Sequence, residues 1–250
     1  MWLKLYKEIS IPFFALASLA SIVSLILFFF AIPWAVIIAL SVFCLTLIVF
    51  LICLIRVLNK FIEKENADNY KKKSSFMKFE TSDGINSIFE TYRHIQAKCT
   101  ILYELEHSFK WTGSKMPDVT SNIQEVTHVI DNKTNTYDKA ILKFKQPLLY
   151  NETAIVHFHA KCNDADGTAK PYLETRIDSQ IDVIHYRIVL KHKTGKYSSN
   201  ATLSRKKIAS DMSADYETIK SINFDLSTKS YEHHLLSPEV GYYYKISWVK

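Results

Sequence analysis

The sequence predicts a membrane α-helical hairpin of two transmembrane helices, followed by an all-β cytosolic domain. That domain is expected to be a β-sandwich, with a small β-barrel as the second choice. Three observations carry this. Ile9 to Ile55 contains no charged residue and is broken only near Ile32-Pro33-Trp34. From about residue 80 the apolar residues alternate with polar ones, the period of a strand with one buried face. Positive charge flanks the apolar run on both sides, at Lys4 and Lys7 and again at Arg56, Lys60 and Lys64.

A hydrocarbon core about 30 Å thick takes roughly 20 apolar residues as a helix. The uncharged run is about twice that, so two spans joined by a tight turn account for it. Met1 to Glu8 forms a short lead in which Trp2, Lys4, Tyr6 and Lys7 suit the headgroup layer. The first span is expected from about Ile11 to Phe30, with Pro12 in its first turn, where a missing N–H costs little. Pro33 and Trp34 mark the far interface, and the second span runs from about Ala35 to Ile55. A second apolar run follows the first at once and no A-x-A-type cleavage site intervenes, so an anchor is expected in place of a cleaved leader. Because both charged flanks lie on one side, the positive-inside rule puts both termini in the cytoplasm. Ala17, Ala20, Ser21 and Ser24 form one stripe of small residues and Ala35 and Ala39 begin another. Such stripes let helices approach closely in lipid. With no ionisable group inside either span, a proton relay, ion-coupled transporter or voltage sensor is excluded.

The boundaries that follow are 1–56 for the hairpin, 57–79 for a basic linker and 80–250 for a β-rich sensor or interaction domain. In the linker, Lys60 to Asn69 is helix-compatible and Lys71-Lys72-Lys73-Ser74-Ser75 reads as a flexible strip. Two readings of that strip stand: a tether attracted to anionic lipid, or a coupler between domain and membrane. In the β domain, strands are expected at Ile88–Ile95, Ile101–Trp111, Val126–Ile130 and Ala140–Lys145, the last stopped by Pro147. Val156, Phe158, Ala160 and Cys162 share one strand face, as do Ile184, Tyr186, Ile188 and Leu190. Further strands are expected near Lys207–Ala209, Thr218–Leu226 and Tyr242–Val249. Asp164-Ala165-Asp166-Gly167 is strong turn chemistry. Eight or nine short strands separated by turns indicate a sandwich or barrel. A chain with only five glycines favours the sandwich, since barrel corners use glycine.

The net charge of +6 is modest and much of the excess lies beside the membrane run, so direct nucleic-acid binding is not expected. Of four cysteines, Cys44 and Cys53 lie in the second span, and Cys99 and Cys162 in the β domain. The latter two are read as reduced thiols, with a disulfide across two sheets as the alternative. No nucleotide-binding glycine motif, nucleophile elbow, H-E-x-x-H or C-x-x-C occurs, and the chain is expected not to be an enzyme. His157-x-His159 puts two imidazoles on one strand face, a workable ligand geometry, with His185 as a third candidate. An exposed His-rich polar face explains the same spacing, and it is preferred. His233 and His234 diverge on a strand and are set aside as a pair. The calcium-loop start at Asp164 lacks the closing Glu. No catalytic residue, cofactor or metal ligand is therefore assigned. Asn132, Asn151 and Asn200 head glycosylation sequons, which matter only for a domain outside a eukaryotic cell.

The two-span anchor, the tiny turn and the β-rich cargo resemble the two-transmembrane effectors of bacterial antiphage systems. These include effectors encoded beside retrons and the β-domain effectors of cyclic-oligonucleotide defence. Phe109-Lys110-Trp111-Thr112-Gly113 and Gly241-Tyr242-Tyr243-Tyr244-Lys245-Ile246-Ser247-Trp248 are the most signature-like stretches. The resemblance implies a multi-pass protein of the bacterial inner membrane that self-associates. It implies abortive infection: a triggered or released β domain clusters the hairpins and disrupts the membrane. The partners implied are the lipid bilayer, further copies of the chain, and a regulatory protein, a ribonucleoprotein or a small signalling ligand as trigger. A non-toxic membrane-anchored binding module or assembly factor would share the same layout.

Overall fold

A computed structural model describes residues 34–65, 69–131, 137–195, 197–209 and 215–250, together with Ser18, Ser21 and Ile22. The chain divides into two units, 1–65 and 66–250.

In the first unit, helix α1 spans Ala35–Glu65, 31 residues, or about 46 Å at 1.5 Å per residue. Within it, Leu40–Leu58 has a mean hydropathy of 2.8 and none of the window is buried. Leu40, Phe43, Leu47 and Ile55 are all about half exposed or more. Thr46, one of the few polar side chains here, donates its hydroxyl to the Phe43 carbonyl at 2.7 Å, so it brings no unmet donor to an apolar setting. This is one helix long and apolar enough to cross a bilayer. The expected first span, 11–30, lies outside the described residues except for Ser18, Ser21 and Ile22, which are helical. The lead 1–8, the turn at Pro33 and the small residues Ala17, Ala20 and Ser24 also lie outside them.

The second unit is all β. Its strands are β1 (Tyr70–Thr81), β2 (Asn86–Ala97), β3 (Ile101–Phe109), β4 (Asp118–Thr120), β5 (Glu125–Ile130), β6 (Asp138–Leu149) and β7 (Thr153–Asn163). They continue with β8 (Tyr172–Ile177), β9 (Val183–Leu190), β10 (Ala201–Lys207), β11 (Glu217–Ile222), β12 (Ser230–Leu236) and β13 (Tyr242–Ser247). One six-stranded sheet runs β12-β9-β1-β2-β7-β4, and two smaller sheets run β11-β10-β13-β8 and β3-β6-β5. One face of the large sheet is shared between the smaller two. Met77, Ile184, Tyr186, Ile188 and Tyr231 pack with Leu173, Leu203, Tyr244 and Ile246 of the four-stranded sheet. Ile95, Val156, Phe158 and Ala160 pack with Leu105, Phe109 and Leu142 of the three-stranded sheet. The alternating faces expected at 156–162 and 184–190 are these buried faces. Burying them removes apolar surface from water, the main favourable term in folding.

Four expectations change. The linker 57–79 is not one segment, because α1 runs on to Glu65 and β1 begins at Tyr70. Its supposedly flexible strip is strand: Lys71 pairs with Gln96, Lys72 with Ile95 and Ser75 with Arg93. The lysine run hides the period of two, yet these side chains are half-buried or buried, since long stems can lie along a protein surface while the charge reaches water. Pro147 does not stop β6; it falls where Leu102 pairs with Leu148 but Glu104 already pairs with Lys143. Such an irregularity is where a strand tolerates a residue with no N–H. Strands β1, β4, β8 and β12 add to those expected, and the strand expected near Lys207–Ala209 instead ends at Lys207, as β10.

Turn chemistry agrees with the sequence at 164–167. The Gly167 N–H donates to the Asp164 carbonyl at 3.0 Å, with Gly167 at φ +69°. The loop between β1 and β2 is closed by Asp83, whose carboxylate accepts from the backbone N–H groups of Ile85 (2.8 Å) and Asn86 (2.7 Å) and from the Asn86 amide (2.8 Å). Those donors, the Asn86 side chain foremost, hold the Asp83 carboxyl down at about 2. All four cysteines are free: Cys44 and Cys53 are exposed, Cys99 is intermediate and Cys162 is buried.

Candidate functional site

The shared face creates a seam. β3 is an edge of the three-stranded sheet and β8 an edge of the four-stranded one. They do not pair with each other, so the second layer is interrupted above β1 and β2. A cavity of about 490 Å³ occupies this seam, with Ser75 and Arg93 on its β1–β2 side, Leu102, Glu104, Leu105, Glu106 and Ser108 from β3, and Glu174 to Ile177 with Asp178 and Ile181 following β8. Its size falls in the range of small-molecule sites, about 300–1,000 Å³.

Register explains the polar side. Ser75 and Arg93 are cross-strand partners and both face the second layer, where their neighbours along the strands are core residues. Ser75 is buried and its hydroxyl has no partner among the described residues. Arg93 has no carboxylate partner among the described residues, and burial draws its guanidinium below its ordinary range. A second, smaller cavity of about 80 Å³ shares Arg93, Ser108, Tyr137 and Glu174 with the first. Glu174 accepts from the hydroxyl of Tyr137 at 2.7 Å and from that of Tyr216. Burial and the neighbouring carboxylate raise both phenols. The Lys245 ammonium stands 3.5 Å from the Tyr216 ring centre, and burial lowers its basicity against the pull of Glu174. The seam thus offers an unpaired guanidinium and hydroxyl on one side and phenol-bound carboxylate on another. It can hold a small polar molecule that both accepts and donates hydrogen bonds.

His107 of β3 lines the smaller cavity beside Arg93 and Ser108. It is 1% exposed and stacked on Phe158 at 4.1 Å with an interplanar angle of 9°. Neither ring nitrogen has a partner among the described residues. Burial first, then the charges of Arg93 and Lys72, keep this imidazole neutral well below its ordinary range.

The His-rich face predicted from His157-x-His159 lies on the opposite side of the large sheet, and the structure corrects both readings of it. His157 is fully buried, not exposed. Its Nδ1 accepts from the Asn122 backbone N–H at 2.9 Å. The proton therefore sits on Nε2, which donates to Glu90 Oε1 at 3.1 Å. With both nitrogens committed, His157 has no lone pair for a metal. His159 stands beside it, ring centres 6.4 Å apart, with Nδ1 3.2 Å from the Thr120 hydroxyl. His185 does not join them, because β1 and β2 separate β9 from β7. In its place an aromatic ladder crosses the sheet, His234–His185–Phe76–Tyr92–His157, with successive ring centres 4.0, 4.8, 6.3 and 4.6 Å apart. Burial lowers the basicity of His185, while its hydrogen bond to Glu232 works the other way.

Sequence reasoning missed the seam altogether. Arg93 on the apolar face of β2 was a visible signal, since a lone charge at an inward position asks for a partner. Which strands would flank it was not visible.

No family model matches the chain, and no curated protein matches it. Solved structures share its backbone outline loosely. An M1 zinc metallopeptidase from Deinococcus radiodurans aligns at a TM-score of 0.36 and 8% identity over 72% of this chain and 42% of its own. A putative protease from Parabacteroides distasonis gives 0.37 and 6%, over 72% and 40%. Native yeast LTA4 hydrolase gives 0.42 and 8%, over 73% and 30%. The chain spans less than half the length of each. Likeness at this level carries no conclusion about activity.

Proposed function

We propose that this protein is a membrane-anchored effector whose β domain, through the seam cavity, controls the association of its membrane segment. The observation that carries the proposal is α1: none of its Leu40–Leu58 window is buried and its mean hydropathy is 2.8, and only residues 66–69 separate its end from β1. Apolar side chains exposed in such number need lipid or other helices around them. A β domain tethered this closely acts at high effective concentration on whatever its anchors do. The finer form of the reading follows the resemblance to two-span antiphage effectors. In that form a second span at 11–30 pairs with α1, both termini face the cytoplasm of a bacterium, and self-association disrupts the inner membrane.

Expression of the full chain in bacteria, read with a voltage-sensitive dye, tests it. The effector depolarises the membrane when its β domain is triggered or when a restraining partner is absent. Removal of residues 1–56 abolishes depolarisation, and Arg93→Ala shifts the threshold for it. The seam cavity also favours a second reading, a non-toxic membrane-anchored binding module. That reading is correct if the membrane potential stays intact at every expression level while Arg93→Ala still changes ligand capture.

A further inference from the structure

We infer that His185, Glu232 and His234 form a binding site for a divalent transition-metal ion, with Zn(II) the best chemical fit. The inference stands apart from the membrane reading and from the seam cavity. The three side chains lie on the face of the large sheet away from both cores, on β9 and the edge strand β12. Each offers one ligand atom, and these atoms all lie within 4.8 Å of one another.

The strand register brings them together. His185 is the direct partner of His234, and Glu232 that of Arg187. Backbone bonds join Leu190 to Lys229 and Ser237 to Asp182 across the same pair of strands. Alternation from those bonds puts His185 and His234 at a non-hydrogen-bonded pair, where opposed side chains come closest. Their rings stack with centres 4.0 Å apart at 14°. Glu232 lies two residues from His234 and so on the same face, and its Oε1 is 2.7 Å from His185 Nε2. Phe76 of β1 backs His185, ring centres 4.8 Å apart, which limits where that imidazole can turn. Glu232 and His234 are exposed, so they are free to close the remaining distance. His157, by contrast, has both nitrogens committed and cannot serve.

The donor set selects the ion. Two imidazoles and one carboxylate suit zinc and its first-row neighbours, whereas calcium and magnesium take all-oxygen shells. Three protein ligands leave a coordination position for water. Arg187 lies on the same face, directly across the strands from Glu232. A bound ion would tie β12, otherwise held on one side only, to β9. The loose backbone likeness to zinc peptidases lends the site no support.

The test uses the full chain in detergent micelles, titrated with CoCl2 and then with ZnCl2. One equivalent of Co(II) produces visible absorption bands of a low-coordinate site. Zinc bleaches them, and zinc raises the unfolding temperature. His234→Ala and Glu232→Gln, both at exposed positions, each weaken binding roughly 10–100-fold and leave the metal-free unfolding temperature unchanged. His159→Ala, four strands from β12, leaves binding as it was. The absence of saturable Co(II) bands at one equivalent overturns the inference. So does binding that survives both His234→Ala and His185→Ala, or binding lost in His159→Ala.

Discussion

Helix α1 and the β domain use the same side chains to opposite ends. In α1, Leu47 and Phe43 are 48% and 57% exposed. In the β domain, Leu142 and Phe158 are wholly buried. Hydrophobicity alone therefore does not tell where a residue ends up. What differs is the pattern: strands offer every second residue to a shared face, whereas α1 from Leu40 to Ile55 carries no charge and has no charged face to turn to water. A helix of that kind is stable only inside a protein core or in lipid, and among the described residues no core surrounds it.

The largest effect that would test this contrast is in the core. Phe158→Ala should cost the β domain about 3–5 kcal/mol, read by denaturant unfolding of the full chain in detergent. Phe43→Ala should leave that transition within about 0.5 kcal/mol. A similar shift from both would collapse the contrast. Next comes membrane partition. Leu47→Arg places a charge in the middle of the apolar window, at about 2.5–3.5 kcal/mol against insertion, and carbonate extraction should release the variant. Leu236→Arg, on an edge strand at 72% exposure, should stay with the membrane fraction.

A smaller effect sits at the polar exception inside the β core. His107→Leu removes two nitrogens with no partner among the described residues, whose burial costs about 1–3 kcal/mol. The sign with pH is definite. The unfolded imidazole takes up a proton near 6.5, whereas the folded one, lowered by burial, does so only well below that value. The unfolded state then binds more protons below 6.5, and the wild-type domain loses stability as pH falls through that range. The leucine variant should gain more over wild type at pH 5 than at pH 8 in thermal melts. An equal gain at both would refute the neutral, buried imidazole. The smallest effect is chemical. Burial pushes the Cys162 thiol up to about 12, so at pH 8 iodoacetamide should modify Cys99 and spare Cys162 until denaturant is added. Mass spectrometry of the peptides reads this directly.

How far the sequence could be read varies by region for physical reasons. The buried faces of β7 and β9 were legible because alternation is local. The Asp164–Gly167 turn was legible because its side chain and its glycine act within four residues. Strand β1 was obscured because a lysine run looks solvated, though its stems lie half-buried in the sheet. Asp83-Gly84, a turn signal between β1 and β2, marked the hairpin that run belongs to. His157 was misread as exposed because the loop at Asn122 and Gln124 that covers it is more than 30 residues away, with the Gln124 side chain accepting from the His157 N–H.

By itself the sequence determined that an uncharged apolar segment precedes an all-β domain, because hydropathy and periodicity are properties of neighbouring residues. Only the tertiary structure decided that β1 lies between β9, in parallel, and β2. It alone set β3 and β8 on either side of a gap over Arg93, and His185 opposite His234 with Glu232 alongside. Those placements depend on register between strands far apart in the chain, and a shift of one residue would send every one of these side chains to the other face.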